Sequence, residues 1–305
     1  MDKIRIGTRG SKLAMWQADY ISGRLRAGGL DTEIVKIETK GDKILDVSIA
    51  KIGSKGVFTE EIEDQLASGA IDIAVHSAKD MQSVLPDGFE LIAFTEREKP
   101  HDVIVSHQND FEINKPLTIG TSSTRRIAML KYYYPHIKTV PVRGNLQTRM
   151  SKMKEGVCDG LSLAYAGVHR MGNDDLIVHE FDTDEFVPAV GQGSVAIECA
   201  SSLDSAKKEK VRALTNDPDT EVQLLAERSY LRRLEGGCSI PVFALAKDDQ
   251  LSGGIVSLDG TQLIHENISI DVRNPESAGI ALAEKVFALG GDQILKEIKD
   301  DLKMN

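Results

Sequence analysis

The sequence predicts two α/β domains followed by a smaller α+β domain, and three patterns carry that expectation. Strand-like alternation and helical spacing take turns over roughly the first 95 residues. The same alternation restarts near residue 101. The last part of the chain changes to a hairpin pattern centred on Asp259-Gly260, a strong turn signal.

In the first part, Ile4 and Ile6 alternate in KIRIG as a strand. Ser11 stands as an N-cap ahead of Ala14, Ala18, Ile21 and Leu25, and Gly28-Gly29 closes that helix. TEIVKIET reads as a second strand. Thr59 is expected to cap the next helix, with Glu60 and Glu61 well placed in its first turn. AIDIAVHS is the third strand, and strands separated by helices imply a parallel sheet. From residue 101, LTIG, KTVPV and GLSLA are strands, each running into a helix. AVGQGSVAIE is expected to return to the first sheet. Pro218 suits a first helical position, and its helix runs to Leu234 before Gly236-Gly237. IPVFALAK and the hairpin follow, then a helix from Asn274-Pro275 that breaks at Gly290-Gly291. The expected division is residues 1–97 with 192–214, residues 98–191, and residues 215–305.

Composition narrows the function. At 41% apolar and 28% charged, the 305-residue chain is a soluble globular protein. A net charge of −10 argues against a nucleic-acid partner. No apolar run approaches the ~18 residues of a membrane span, and MDKIRIGTRG enters a strand directly rather than a signal peptide. Cys158, Cys199 and Cys238 are odd in number with no paired spacing. That argues against a disulfide framework or a zinc site and for a reducing compartment.

Candidate chemistry gathers after predicted strands, where open α/β sheets bind ligands. GTRGS supplies Arg9 and Ser11; HSAKD supplies Ser77, Lys79 and Asp80. GTSSTRR supplies Thr121, Ser123, Arg125 and Arg126; VRGN and the next helix supply Arg143, Gly144 and Arg149, and Arg170 follows a later strand. The GTSS turn can present N–H groups and hydroxyls to an anion. Arginine forks bind carboxylates bidentately, so six of them after strands describe a receptor for a multi-carboxylate or phosphate ligand. Any one could equally be a solvated surface residue. Asp80 could be a helix cap or a carboxylate facing a developing cation. A His76–Asp80 dyad is disfavoured, because i and i+4 across a strand end do not reliably face each other. GQGSVA matches a dinucleotide fingerprint but lacks the strand–turn–helix setting, and reads instead as a hinge or interdomain strand. Cys238, after Gly236-Gly237, is either a buried inert thiol or an attachment point carried into a cleft.

HSAKD, GTSSTRR, VRGNLQTR, PAVGQG and LEGGCSIP occur in this order, with GTRGSKLAMWQA near the start. Together they closely resemble the porphobilinogen deaminase (hydroxymethylbilane synthase) family from Ile4 to about Ala246. Ala78, Gln82, Tyr165 and Ser239-Ile240 depart from residues common there. The resemblance implies two periplasmic-binding-protein-like α/β domains around a cleft and a small C-terminal α+β domain with an antiparallel sheet. It implies a transferase of haem and tetrapyrrole biosynthesis that joins four porphobilinogen molecules head to tail, releasing ammonia at each. The chain would grow on a dipyrromethane cofactor held by a thioether to Cys238 and leave by hydrolysis. By the same resemblance Asp80 is catalytic, stabilising the cationic azafulvene formed as ammonia leaves. Ser77, Lys79, Thr121, Ser123, Arg125, Arg126, Arg143 and Gly144 would hold the cofactor. Arg9, Ser11, Gln17, Arg149 and Arg170 would hold substrate, and Lys55 and Phe58 would reach in from a lid over residues 42–57. The protein is expected to be a cytoplasmic monomer, with a possible transient hand-off to uroporphyrinogen-III synthase. A two-lobed small-anion binding module is the competing reading; it leaves Cys238 and the third domain idle.

Overall fold

The computed structural model of the chain describes residues 3–43, 59–108, 110–237 and 239–304. Its first elements are β1 (Ile4–Arg9), α1 (Lys12–Ala27), β2 (Thr32–Ile37), α2 (Lys40–Lys43), α3 (Glu60–Ala67), β3 (Ile73–Ser77) and β4 (Phe89–Phe94). Then come β5 (Asp102–Val105), β6 (Thr118–Gly120), α4 (Thr124–Tyr133), β7 (Lys138–Val140), α5 (Leu146–Lys154), β8 (Gly160–Ala164), α6 (Tyr165–Arg170) and β9 (Ile177–Glu180). The chain continues through β10 (Val195–Ala200), α7 (Ser205–Thr215), α8 (Pro218–Arg233), β11 (Val242–Lys247), β12 (Gln250–Val256), β13 (Leu263–Ser269), α9 (Pro275–Val286) and α10 (Asp292–Met304).

Two five-stranded sheets share one plan. The first runs β2-β1-β3-β10-β4 and the second β7-β6-β8-β5-β9. In each, three strands are parallel. The fourth, β10 or β5, lies antiparallel to both its neighbours. The three strands read from sequence in the first sheet, β1, β2 and β3, are parallel as expected, and the antiparallel β10 and β5 make both sheets mixed. The reason is topological: β10 and β5 are the strands on which the chain arrives from the other sheet, without a preceding crossover helix to set them parallel. As expected, 195–200 completes the first sheet. β4, β5 and β9 give little alternating signal; Asp102–Val105 is buried on both faces, so its apolar run shows no period of two.

Ile4, Ile6, Ile73, Val75 and Ile197 pack with Ile21 and Leu25 of α1 and Val211 of α7. Ile62 and Leu66 of α3 cover the opposite face with Ile71 and Ala74. Burying each such side chain contributes roughly 1.5–3 kcal/mol before its entropic cost. Ser11 caps α1 as predicted, its Oγ accepting from Ala14 N at 3.2 Å. Thr59 does not cap α3 through its side chain. Its Oγ1 instead accepts from Gln82 Nε2 at 3.1 Å.

β11, β12 and β13 form an antiparallel sheet, with β12 and β13 joined across the Asp259-Gly260 turn. One side packs on α8, α9 and α10 through Ala226, Tyr230, Leu251, Leu282 and Ile294. Phe243, Leu245 and Val256 join the core of the second sheet with Ile104, Ile119 and Phe186. The third unit is thus wedged against the second by shared apolar burial.

The chain leaves the first sheet after β4 and returns before β10, and the two crossings run side by side. Glu98 N donates to Gly193 O at 3.2 Å, and Ser194 Oγ donates to Thr95 O at 2.9 Å. Gly193 holds φ +101, and a Cβ there would overlap the Glu98 carbonyl, so the close approach requires glycine. Glu227 of α8 fastens the third unit to this junction. Its buried carboxylate takes both terminal nitrogens of Arg97, and also accepts from Gly191 N and Ala246 N at 2.8 Å each.

Candidate active site

The loops singled out from sequence follow the C-terminal ends of adjacent parallel strands. β1 and β3 pair through Ile6–Ile73 and Gly7–Ala74, which places the Arg9–Ser11 and Ser77–Asp80 loops side by side. β6 pairs with β7, placing Thr121–Arg126 beside Arg143–Arg149.

In the first unit, Gln17 of α1 is buried and its Nε2 donates to Ser77 Oγ at 2.9 Å. Ser77 leads into one 3-10 turn, Ala78–Asp80. This turn leaves Asp80 exposed and Lys79 half-buried. Lys79 Nζ donates to Gln192 Oε1 at 3.3 Å. Burial, with the neighbouring Arg126, pulls the Lys79 ammonium down to about 8, against the pull of Asp80 and Asp102.

In the second unit, Thr121 Oγ1 accepts from Ser123 N at 3.2 Å, and Ser123 Oγ caps α4 at Arg126 N. Arg125 and Arg126 are both buried against Asp102, which is itself fully buried. Arg125 Nη2 reaches Asp102 Oδ2 at 2.6 Å, and Arg126 reaches Oδ1 through Nε at 2.9 Å and Nη2 at 2.7 Å. Burial alone would raise this carboxyl; the two arginines outweigh it and hold it at about 2. For Arg125, burial outweighs the carboxylate and disfavours the cation, yet a guanidinium stays charged at any working pH. The triad thus carries one net positive charge at the foot of the site.

Arg149 Nε donates to Gly144 O at 2.8 Å. Gly144 sits at φ +113 with Thr148 so close that a Cβ would lie 2.7 Å from it, so only glycine closes this turn. Burial, Arg126 and Arg143 disfavour the Arg149 cation, and Asp80 favours it. Asp80 of the first unit therefore acts on Lys79 and on Arg149 of the second. Arg9 and Arg143 are half-buried at their strand ends. Arg170 stands apart from this group. Its Nη2 donates to Gly193 O at 2.6 Å, and its guanidinium lies over the Trp16 ring, 5.1 Å from the centroid.

His76 does not meet Asp80. Its Nε2 lies 3.0 Å from Glu198 Oε2 in a buried pair between the neighbouring strands β3 and β10. Cys238, Lys55 and Phe58 lie outside the described residues. Asp102 and Gln192 were missed by sequence reasoning. The signal for Asp102 is a carboxylate heading an otherwise apolar DVIV run; for Gln192 it is a polar residue between two glycines of positive φ.

Several polar atoms here have no partner among the described residues. Ser122 Oγ, Arg125 Nε and Arg170 Nε are buried without one. Buried polar groups normally find partners, and the unpaired Ser122 hydroxyl and Arg125 Nε in the Thr121–Arg126 loop fit a ligand carrying carboxylates. Two α/β lobes with facing strand ends, a cationic floor and one carboxylate define the class: a two-lobed α/β protein for an anionic ligand.

The porphobilinogen deaminase dipyromethane cofactor binding domain matches residues 4–208, and the porphobilinogen deaminase C-terminal domain matches residues 222–288. The chain is 57% identical over 304 residues to the porphobilinogen deaminase of Desulfosudis oleivorans, covering 97% of this chain and 98% of that one. It is 55% identical over 305 residues to that of Cytophaga hutchinsonii, covering 98% of each. Among solved structures it is similar to a periplasmic binding protein of Salmonella typhimurium described for arginine specificity, at 11% identity and TM-score 0.41 over 70% of this chain and 92% of that one. The chain belongs to the porphobilinogen deaminase family, whose cofactor is dipyrromethane. No helix among the described residues is long and apolar enough to cross a membrane.

Proposed function

We propose that this protein is a transferase that condenses four porphobilinogen molecules head to tail and releases the linear tetrapyrrole by hydrolysis. The observation that carries the reading is the meeting of Lys79 and Asp80 from one lobe with Arg126 and Arg149 from the other. Porphobilinogen brings two carboxylates per ring, and an arginine-lined floor is what a growing polyanion needs. The dipyrromethane cofactor supplies a pyrrole α-carbon as the nucleophilic end of the chain. Lys79, Arg126, Arg143 and Arg149, with Thr121, Ser123, Ser77 and Gly144, hold its carboxylates and those of the first rings. Arg125 contributes chiefly through Asp102. Arg9, Ser11, Gln17 and Arg170 serve the incoming and lengthening chain.

Asp80 is the one exposed carboxylate in the turn beside Lys79. A positive charge develops on the substrate pyrrole as ammonia leaves. A fixed carboxylate stabilises it where preorganised charge counts most. Lys79 and Arg149 lie near enough to that carboxylate to feel its charge. Cys238 anchors the cofactor as a thioether. The division into residues 1–97 with 192–214, 98–191 and 215–305 then separates catalysis, anion binding and attachment in that order. We further propose a cytoplasmic monomer that hands its product to uroporphyrinogen-III synthase.

Intact mass under denaturing conditions, measured beside Cys238→Ala, tests the reading. An excess of two pyrrole units present in the native chain and absent from the variant is expected. A bare chain that gains no mass on incubation with porphobilinogen overturns the proposal in favour of a small-anion binding module.

A further inference from the structure

Gln192 lies on the return crossing and is 1% exposed. Its carbonyl oxygen faces two cations, Lys79 Nζ at 3.3 Å and Arg126 Nη2 at 3.4 Å. Its Nε2 donates to Pro100 O at 2.7 Å and Asp102 Oδ1 at 3.0 Å. Lys79 follows β3 in the first unit, whereas Arg126 and Asp102 belong to the second. A carboxamide is suited to this place because one end only accepts and the other only donates. Turned over, it would set an NH2 against two cations and an oxygen against a carboxylate, so the surroundings fix its orientation. The backbone fixes the position. Arg97 Nε donates to Gln192 O at 2.9 Å, and Arg97 is itself held by Glu227.

We infer that Gln192 is a positioning residue that makes the Lys79 ammonium and the Arg126 guanidinium converge across the two lobes, so that one carboxylate can engage both. Two like charges in a half-buried site repel, and a neutral acceptor shared between them offsets that repulsion without neutralising either. The inference rests on the proposed function for the identity of the carboxylate, but not for the geometry.

The test is competitive acylation of lysines in the purified holoenzyme at pH 7, read residue by residue from peptide masses, with Gln192→Met and Gln192→Glu. Gln192→Met removes the acceptor, disfavours the Lys79 cation and frees its amine. Lys79 is expected to label about fivefold faster, and kcat to fall more than KM rises. Gln192→Glu keeps the acceptor and adds a charge, so Lys79 is expected to label about tenfold slower. A merely structural role would move both variants in the same direction or leave Lys79 unchanged, and either result overturns the inference. Should Gln192→Met fail to fold, slower labelling in Gln192→Glu alone supports it, and unchanged or faster labelling refutes it. The labelling needs no turnover. A wild-type protein without bound pyrroles or activity would refute the deaminase reading while leaving this result to stand or fall separately.

Discussion

Replacing Asp102 by Asn should be among the most damaging single changes available, although this residue touches no reacting atom. The carboxylate is fully buried and takes three charge-assisted hydrogen bonds of 2.6–2.9 Å from Arg125 and Arg126, plus one from Gln192. The shift from 3.8 to about 2 corresponds to about 2.5 kcal/mol of preference for the ionised form. The variant loses that and also leaves two buried guanidiniums without their counter-charge. Breaking a buried pair from one side costs about 3–5 kcal/mol, and that is the expected loss. Urea unfolding followed by circular dichroism measures it as the midpoint shift multiplied by the slope. A companion experiment uses pH. Because the folded-state value is depressed, Asp102 contributes its full stability above pH 3.8 and loses it as pH falls towards about 2. The wild type should therefore show a stability decline between roughly pH 4 and 2 that is shallower in Asp102→Asn. A variant within about 1 kcal/mol of wild type would show that the arginines find other partners, and that the triad is not the floor of the site.

Asp80→Asn should leave folding and carboxylate binding intact while turnover drops by about two to three orders of magnitude, as for loss of a preorganised charge at a reacting centre. Single-turnover ammonia release checks this, and unchanged turnover removes Asp80 from the mechanism. With burial setting Lys79 near 8, its cation is lost as pH rises through that value. Assembly of the cofactor on protein made without porphobilinogen should slow above pH 8 by about tenfold per unit, whereas Lys79→Arg should stay flat to at least pH 9.5. Parallel profiles for the two would show that Lys79 does not engage a carboxylate.

Much of this was legible in the chain. Each of the Ser11, Gly28, Pro218 and Asp259-Gly260 signals reports a local backbone requirement, and each marks the boundary it should. Thr59 shows the limit of such reading: its hydroxyl is drawn away by Gln82, which is near in space but 23 residues distant. The strand-end loops were visible because chemistry there interrupts alternation. Their partners were not. Asp102 and Gln192 have no motif of their own, since a buried counter-ion is specified by the charges it meets, and those come from other strands. Arg125 and Arg126 look alike in sequence, but only the fold shows that much of their hydrogen-bonding capacity is turned inward.

The topology of the first sheet has a consequence for synthesis. Among the described strands β4 pairs only with β10, which begins 101 residues after β4 ends. At translation rates of about 5–20 residues per second, β3 and β4 wait roughly 5–20 s for the strand that joins them. Everything needed to build the second sheet, from β5 to β9, leaves the ribosome during that interval. The lobe that begins first is therefore finished last, and its open edges must be kept from wrong partners until residue 200 emerges.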